Sequence, residues 1–250
     1  MDFNADHLAV AETDRFGNLV NARRIDAITY GKTGEQAGAV YGDIAVAIAS
    51  MARAAGKPVV IERLDFAQKK AQLETLDRKR SRMLSALGYA RAASMLRAAC
   101  FRFGVTVLEV NPAYTPVIGV INFAQRFGIG THQGAALAIA RRGGFGILGL
   151  REQPARRVGL VPTRNGGHVA FDLPERNRSK HVWTFWAGAR RKLSAALAEH
   201  YRCAGKPAPP SPLSTKKSSR SSSANRSSGT RPPGASQHHC SADELGDLPF

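Results

Sequence analysis

The sequence predicts an α/β fold: a mixed sheet with flanking helices, followed by a helical extension and a disordered tail. Three observations predict it. Short alternating or β-branched runs punctuate longer segments of helical spacing. One helix-spaced segment, Gly34–Ala55, separates the third and fourth such runs, as a crossover between parallel strands requires. From Gly205 onward Pro, Ser, Arg and Lys replace the apolar residues that a core needs.

Residues 3–11 pass from polar Asn4-Ala5-Asp6 into His-Leu-Ala-Val-Ala, a first strand. Asp14-Arg15-Phe16-Gly17-Asn18 supplies turn residues, and Leu19-Val20 opens a second strand; Arg23–Thr29 reads as a third. In Gly34–Ala55 the apolar positions Ala37, Val40, Tyr41, Ile44, Ile48 and Met51 recur at helical spacing, and Gly56-Lys57-Pro58 stops that helix. Val59–Leu64 is a continuous β-branched run, the pattern of a strand buried on both faces. Strand–strand–strand–helix–strand is the order of a ribonuclease-H-like domain, expected here over residues 1–150.

Residues 66–80 are basic and helix-prone, and 81–103 read as an amphipathic helix through Met83, Leu84, Leu87, Met95 and Leu96. Gly104 ends it ahead of a fifth strand, Val105–Val110, and Thr131–Arg142 reads as a small-residue helix suited to close packing on a sheet. Residues 144–180 show little periodicity. A basic helical extension is expected over 151–204: in His181–Tyr201, Trp183, Trp186, Leu193, Leu197 and Tyr201 share a face that would dock on the main domain. Residues 205–250 form the Ser/Pro/Arg-rich tail, and no internal repeat is present.

The formal net charge is +17 over 250 residues, with a pI near 10.6. Such a balance points to a polyanionic partner, though it says nothing of fold. Contacts to roughly 6–10 phosphates would weaken by about three to five decades between low and moderate salt. Cys100, Cys203 and Cys240 form no CxxC pair, so neither a disulfide framework nor a zinc site is expected. No apolar stretch reaches the roughly 18–20 residues that span a bilayer, and no basic-then-apolar leader opens the chain, so a cytoplasmic, non-membrane protein is expected.

Two carboxylates stand out. Asp2 opens the first strand and Glu62 closes Pro-Val-Val-Ile-Glu, so the two could meet across a sheet as anchors of a Mg²⁺ site for phosphodiester cleavage. Glu109, on the fifth strand beside Asn111, is a further candidate, with Asp6 and Asp65 behind it. Lys69, Lys70, Arg78, Lys79, Arg80 and Arg82 form a basic stretch read as a nucleic-acid contact. Tyr30, Tyr114 and Thr115 are open to two readings, contact with nucleic acid or core packing.

Three segments, Asp-Phe-Asn-Ala-Asp-His-Leu-Ala-Val (2–10), Val-Ile-Glu-Arg-Leu-Asp-Phe (60–66) and Val-Asn-Pro-Ala-Tyr-Thr (110–115), together resemble the RuvC-like part of the TnpB family. These are transposon-encoded, RNA-guided endonucleases, and the likeness is to a divergent, TnpB-related (OrfB-type) branch and spans roughly residues 2–150. The resemblance implies a transposase-associated protein whose partners are DNA and possibly a guide RNA, with Mg²⁺ or Mn²⁺ held by three carboxylates. Asp2 matches the first and Glu62 the second. Where the family opens its last helix with Asp-x-Asn-Ala-Ala-x-Asn-Ile, this chain reads His132-Gln133-Gly134-Ala135-Ala136-Leu137-Ala138-Ile139, so His132 takes the aspartate's place. The paired CxxC ribbon between Thr115 and this helix is absent, and Met1 directly precedes the first strand where the family has guide- and target-recognition domains. Imidazole is a poor substitute for a hard oxygen donor to Mg²⁺. The resemblance therefore implies nucleic-acid binding with cleavage reduced or lost. Its alternatives are a stand-alone nuclease using Asp2, Glu62 and either Glu109 or His132, and a relic of an insertion element.

Overall fold

A computed structural model describes residues 1–4, 6–63, 86–144, 152, 157–163 and 166–203. Asp65, the whole basic stretch Lys69, Lys70, Arg78, Lys79, Arg80 and Arg82, and the tail lie outside the described residues. The architecture is mixed α/β, with small sheets and flanking helices.

Strands β1 (Asp2–Phe3), β2 (His7–Thr13) and β3 (Leu19–Asp26) form an antiparallel meander. The polar start of the chain differs from the single strand expected over 3–11. Asn4 N donates to His7 O (2.9 Å), folding β1 back on β2 so that Asp2 faces Ala9 and Phe3 faces Leu8. Residues 19–26 are likewise one strand, because the ladder to β2 runs on from Asn21 to Asp26. The Asp14 carboxylate fixes the intervening turn, accepting from Phe16 N and Asn18 N, both at 2.8 Å.

Helix α1 (Gly34–Ala55) carries a reciprocal cap: Thr33 Oγ1 accepts from Gln36 N at 3.2 Å, and Gln36 Oε1 from Thr33 N at 3.0 Å. Gly56, at φ +63°, ends it in the left-handed region that favours glycine. Strands β4 (Val59–Glu62) and β5 (Val107–Val110) pair in parallel, joined through α2 (Ala86–Arg102). Met1 N donates to Val60 O (2.8 Å) and Phe3 N to Glu62 Oε1 (3.4 Å), so β1 lies beside β4 and the two advance in step.

Strand alternation divides the residues between two layers. Phe3, Leu8, Val59 and Ile61 pack with Ile44, Ile48, Leu96 and Cys100 beneath α1 and α2. Asp2, His7, Ala9, Val60 and Glu62 are of the other parity and face α5 (Thr131–Gly143), which crosses the strands. α5 can lie so close because its contact positions are small. A Cβ on Gly143 would stand 2.7 Å from Val60 Cγ2, and one on Gly134 would stand 2.8 Å from Gly119 O.

Two regions have elements that periodicity does not give. Residues 115–127 form α3 (Thr115–Gly119), a π-helical stretch Val120–Ala124 and a closing turn α4 (Gln125–Phe127). The π stretch breaks the 3.6-residue spacing that a helical pattern needs. Beyond α5, β6 (Val158–Pro162) and β7 (His168–Asp172) form an antiparallel hairpin, so the region expected to be a helical extension is part strand. Glycine hides that hairpin from a propensity reading: Gly159 is small because the Phe171 ring lies against it, 2.6 Å from where a Cβ would sit. Helix α6 (Val182–Cys203) follows, burying Phe185, Trp186, Ala189, Leu193 and Leu197 as one stripe. Trp186 is 1% exposed and docks as expected, against Val117, Ile118 and Leu137, whereas Trp183 stays 40% exposed. No helix among the described residues is long and apolar enough to cross a membrane.

Candidate functional site

The site sits where β1, β2 and β4 meet the first turn of α5. Asp2 and Glu62 are both buried, each 8% exposed, on adjacent strands and on the α5 face. Burial of two carboxylates is costly without partners, and each has them. Asp2 Oδ2 accepts from Asn4 Nδ2 at 2.9 Å and lies 3.0 Å from His132 Nδ1. Glu62 Oε1 accepts from Phe3 N.

His132 reaches Asp2 because α5 begins one residue earlier. Gln133 Oε1 accepts from Gly130 N (2.9 Å), fixing the first turn, and Gly134 against Gly119 sets the depth of the helix. Of residues 2, 62 and 132, Asp2 and His132 are in contact, and Glu62 lies on the strand beside Asp2 with its carboxylate on Phe3 N.

A second histidine joins them. His7 is 5% exposed, its ring centroid lies 5.0 Å from that of His132 with the planes at 77°, and its Nδ1 is 2.7 Å from Asp6 Oδ1. Each imidazole is thus held at Nδ1 by a carboxylate, an arrangement that fixes ring orientation. Asp6 is in turn bonded by Arg24 Nη2 at 2.8 Å. Burial works against the charged form of Asp6, but the hydrogen bond and charge of His7, with Arg24, outweigh it and hold the carboxyl below its ordinary range. His7 escapes a sequence reading because its placement depends on the Asn4–His7 turn. Once that turn is seen, parity puts it on the Asp2 face.

The local field is negative. Burial pushes the Met1 α-amino group down to about 6, while the charges of Asp2 and Glu62 pull it back up. Burial, followed by those same two charges, raises the Tyr89 phenol well above its usual range.

Glu109 does not join the cluster. It pairs with Ile61 in the parallel register, which puts it on the α1/α2 face, and Arg97 Nη2 holds its carboxylate at 2.6 Å.

The donors fit a Mg²⁺ pair poorly as they stand. One Asp2 oxygen already serves two side-chain partners, the third position is a nitrogen, and the described residues include no group of three or more His, Cys, Asp or Glu side chains arranged around a common metal position. What the arrangement can do chemically is orient two imidazoles, each through a carboxylate at its Nδ1.

No family model, curated protein or solved structure matches the chain.

Proposed function

We propose that the chain is a TnpB-related, RuvC-like protein that binds nucleic acid and in which DNA cleavage is reduced or lost. The observation that carries this reading is the His132–Asp2 contact: a histidine stands where a hydrolytic centre of this kind needs a carboxylate, and its nitrogen engages the first acid. Supporting it are the strand succession β3-β2-β1-β4-β5, given by the ladders and the Met1–Val60 bond, and the crossover helix α1 ahead of β4. These agree with a ribonuclease-H-like plan. The net charge of +17 supplies the attraction for a polyanion.

In this reading Asp2 and Glu62 are the remaining metal-ligand positions, His132 orients Asp2, and no cleavage step is assigned to a metal. Binding is tested with labelled single- and double-stranded DNA and with RNA across a salt series. The reading requires affinity that falls linearly in log–log form with salt. The same substrates incubated in Mg²⁺ and in Mn²⁺ test cleavage, with Asp2→Ala and Glu62→Ala as controls. Robust cutting abolished by both substitutions overturns the loss of activity, and absence of any nucleic-acid binding at low salt overturns the whole proposal.

A further inference from the structure

We infer that Trp183, with Tyr114 and His181 beside it, is a base-stacking ledge for an unpaired nucleic-acid strand whose phosphates meet the basic loop 175–181. The inference rests on the nucleic-acid reading above and deepens it by naming a contact surface far along the chain from Asp2 and Glu62.

Three observations carry it. First, Trp183 is 40% exposed although the next turn of the same helix buries Phe185 and Trp186 at 5% and 1%. The docking face of α6 is already complete without Trp183. Second, the indole is held in place and not covered. Tyr114 lies 6.2 Å away at 60° and His181 5.2 Å away at 88°, so neither ring stacks flat upon it. His181 Nδ1 also accepts from Trp183 N at 3.2 Å.

Tyr114 itself is fixed at some cost. It is the one non-glycine residue with positive φ (+62°) among the described residues, a conformation unfavourable for a bulky side chain. Its loop is over-determined: Asn111 Oδ1 accepts from Ala113 N at 2.8 Å, Pro112 O accepts from Thr115 N and Oγ1, and Arg142 donates to the carbonyls of Asn111 and Ala113. Strain held this firmly at an aromatic residue beside an exposed indole suits a pre-organised contact surface.

Third, the charge is complementary to phosphate. The segment leading into Trp183 is exposed throughout residues 175–181 and carries Arg176, Arg178 and Lys180 against the single acid Glu175. Arg176 donates to the carbonyls of Asn177 and Lys180, shaping the loop and leaving Arg178 and Lys180 as its outward cations. Aromatic rings for bases beside cations for the backbone is the combination that binds single strands without sequence preference. A duplex, with its bases already stacked, gains nothing from the ring.

The test uses the two tryptophans as built-in reporters. The full chain is titrated with an unlabelled oligo-dT strand while its intrinsic fluorescence is read, and with a fluorescein-labelled strand and a labelled duplex of equal length by anisotropy. The expected result is saturable quenching of the exposed indole by the single strand. Trp183→Leu should abolish that quenching, leave the buried Trp186 emission unchanged, and weaken single-strand binding by roughly 5- to 100-fold, with duplex affinity unaltered. The pair Arg178→Glu and Lys180→Glu should weaken single-strand binding and flatten its salt dependence. If the strand binds without quenching, or binds Trp183→Leu as tightly as the parent, the ledge is refuted while the nucleic-acid reading stands. If neither strand nor duplex binds at low salt, both fail. Quenching by anionic phospholipid vesicles and not by the oligonucleotide would also overturn the assignment.

Discussion

Gly134→Ala is the perturbation that most directly probes how the site is assembled. Gly134 lies in α5 two residues after His132, and a methyl group there would stand 2.8 Å from Gly119 O, 2.9 Å from Gly119 C and 3.0 Å from Gly119 Cα. All three are backbone atoms, so no rotamer change relieves the contact. The reverse substitution meets the same wall, since a Cβ on Gly119 would press on the backbone of Gly134 and Ala135. On helix propensity alone, glycine to alanine in a helix interior stabilises by about 1 kcal/mol. Overpacking a tight contact costs about 1–3 kcal/mol, toward the upper end where backbone must move. The net expectation is destabilisation by roughly 1–2 kcal/mol, a melting temperature lower by about 2–8 °C. Gly42→Ala in α1 is the control: its Cβ would meet only Met95 Cε at 3.5 Å, an ordinary contact. That variant should gain up to about 1 kcal/mol. Urea denaturation of the three proteins, followed by far-ultraviolet circular dichroism, compares them. A Gly134→Ala protein as stable as the parent would refute the backbone contact, and with it the account of how His132 is brought to Asp2.

Three further outcomes are expected. Asp6 has a depressed native pKa, so its contribution to stability is fully present above the ordinary carboxylate range near pH 3.9 and is lost as pH falls through the native value. Asp6→Asn should therefore flatten the acid limb of a plot of melting temperature against pH; an unchanged limb contradicts the His7 and Arg24 partnership. His132→Asp would put a second carboxylate against Asp2, lowering thermal stability by like-charge repulsion and creating a response to millimolar Mn²⁺ larger than that of the parent. A melt insensitive to Mn²⁺ in that variant counts against the arrangement of Asp2 and Glu62. Glu109→Gln removes a partly exposed pair with Arg97. It should cost no more than about 1 kcal/mol in urea denaturation, and a loss much larger than that would contradict the exposed pairing with Arg97.

The sequence by itself determined the elements whose signals are local. The helix Gly34–Ala55 follows from its apolar spacing and the stop at Gly56, and β4 from a β-branched run after a Gly-Lys-Pro stop. The candidate acids Asp2 and Glu62 were also legible, because an acid among buried apolar residues is costly and draws attention wherever it falls. Only the tertiary structure decided which face each acid occupies. The Asn4–His7 turn inverts β1 onto β2 and brings His7 into the cluster, while the parallel register turns Glu109 away toward Arg97. Likewise, the π-helical stretch after Gly119 and the glycine beneath Phe171 carry no periodic signature of their own. Spacing along a chain reports which residues share a face of one element. How two elements meet is set by packing between residues distant in sequence, such as Gly119 against Gly134.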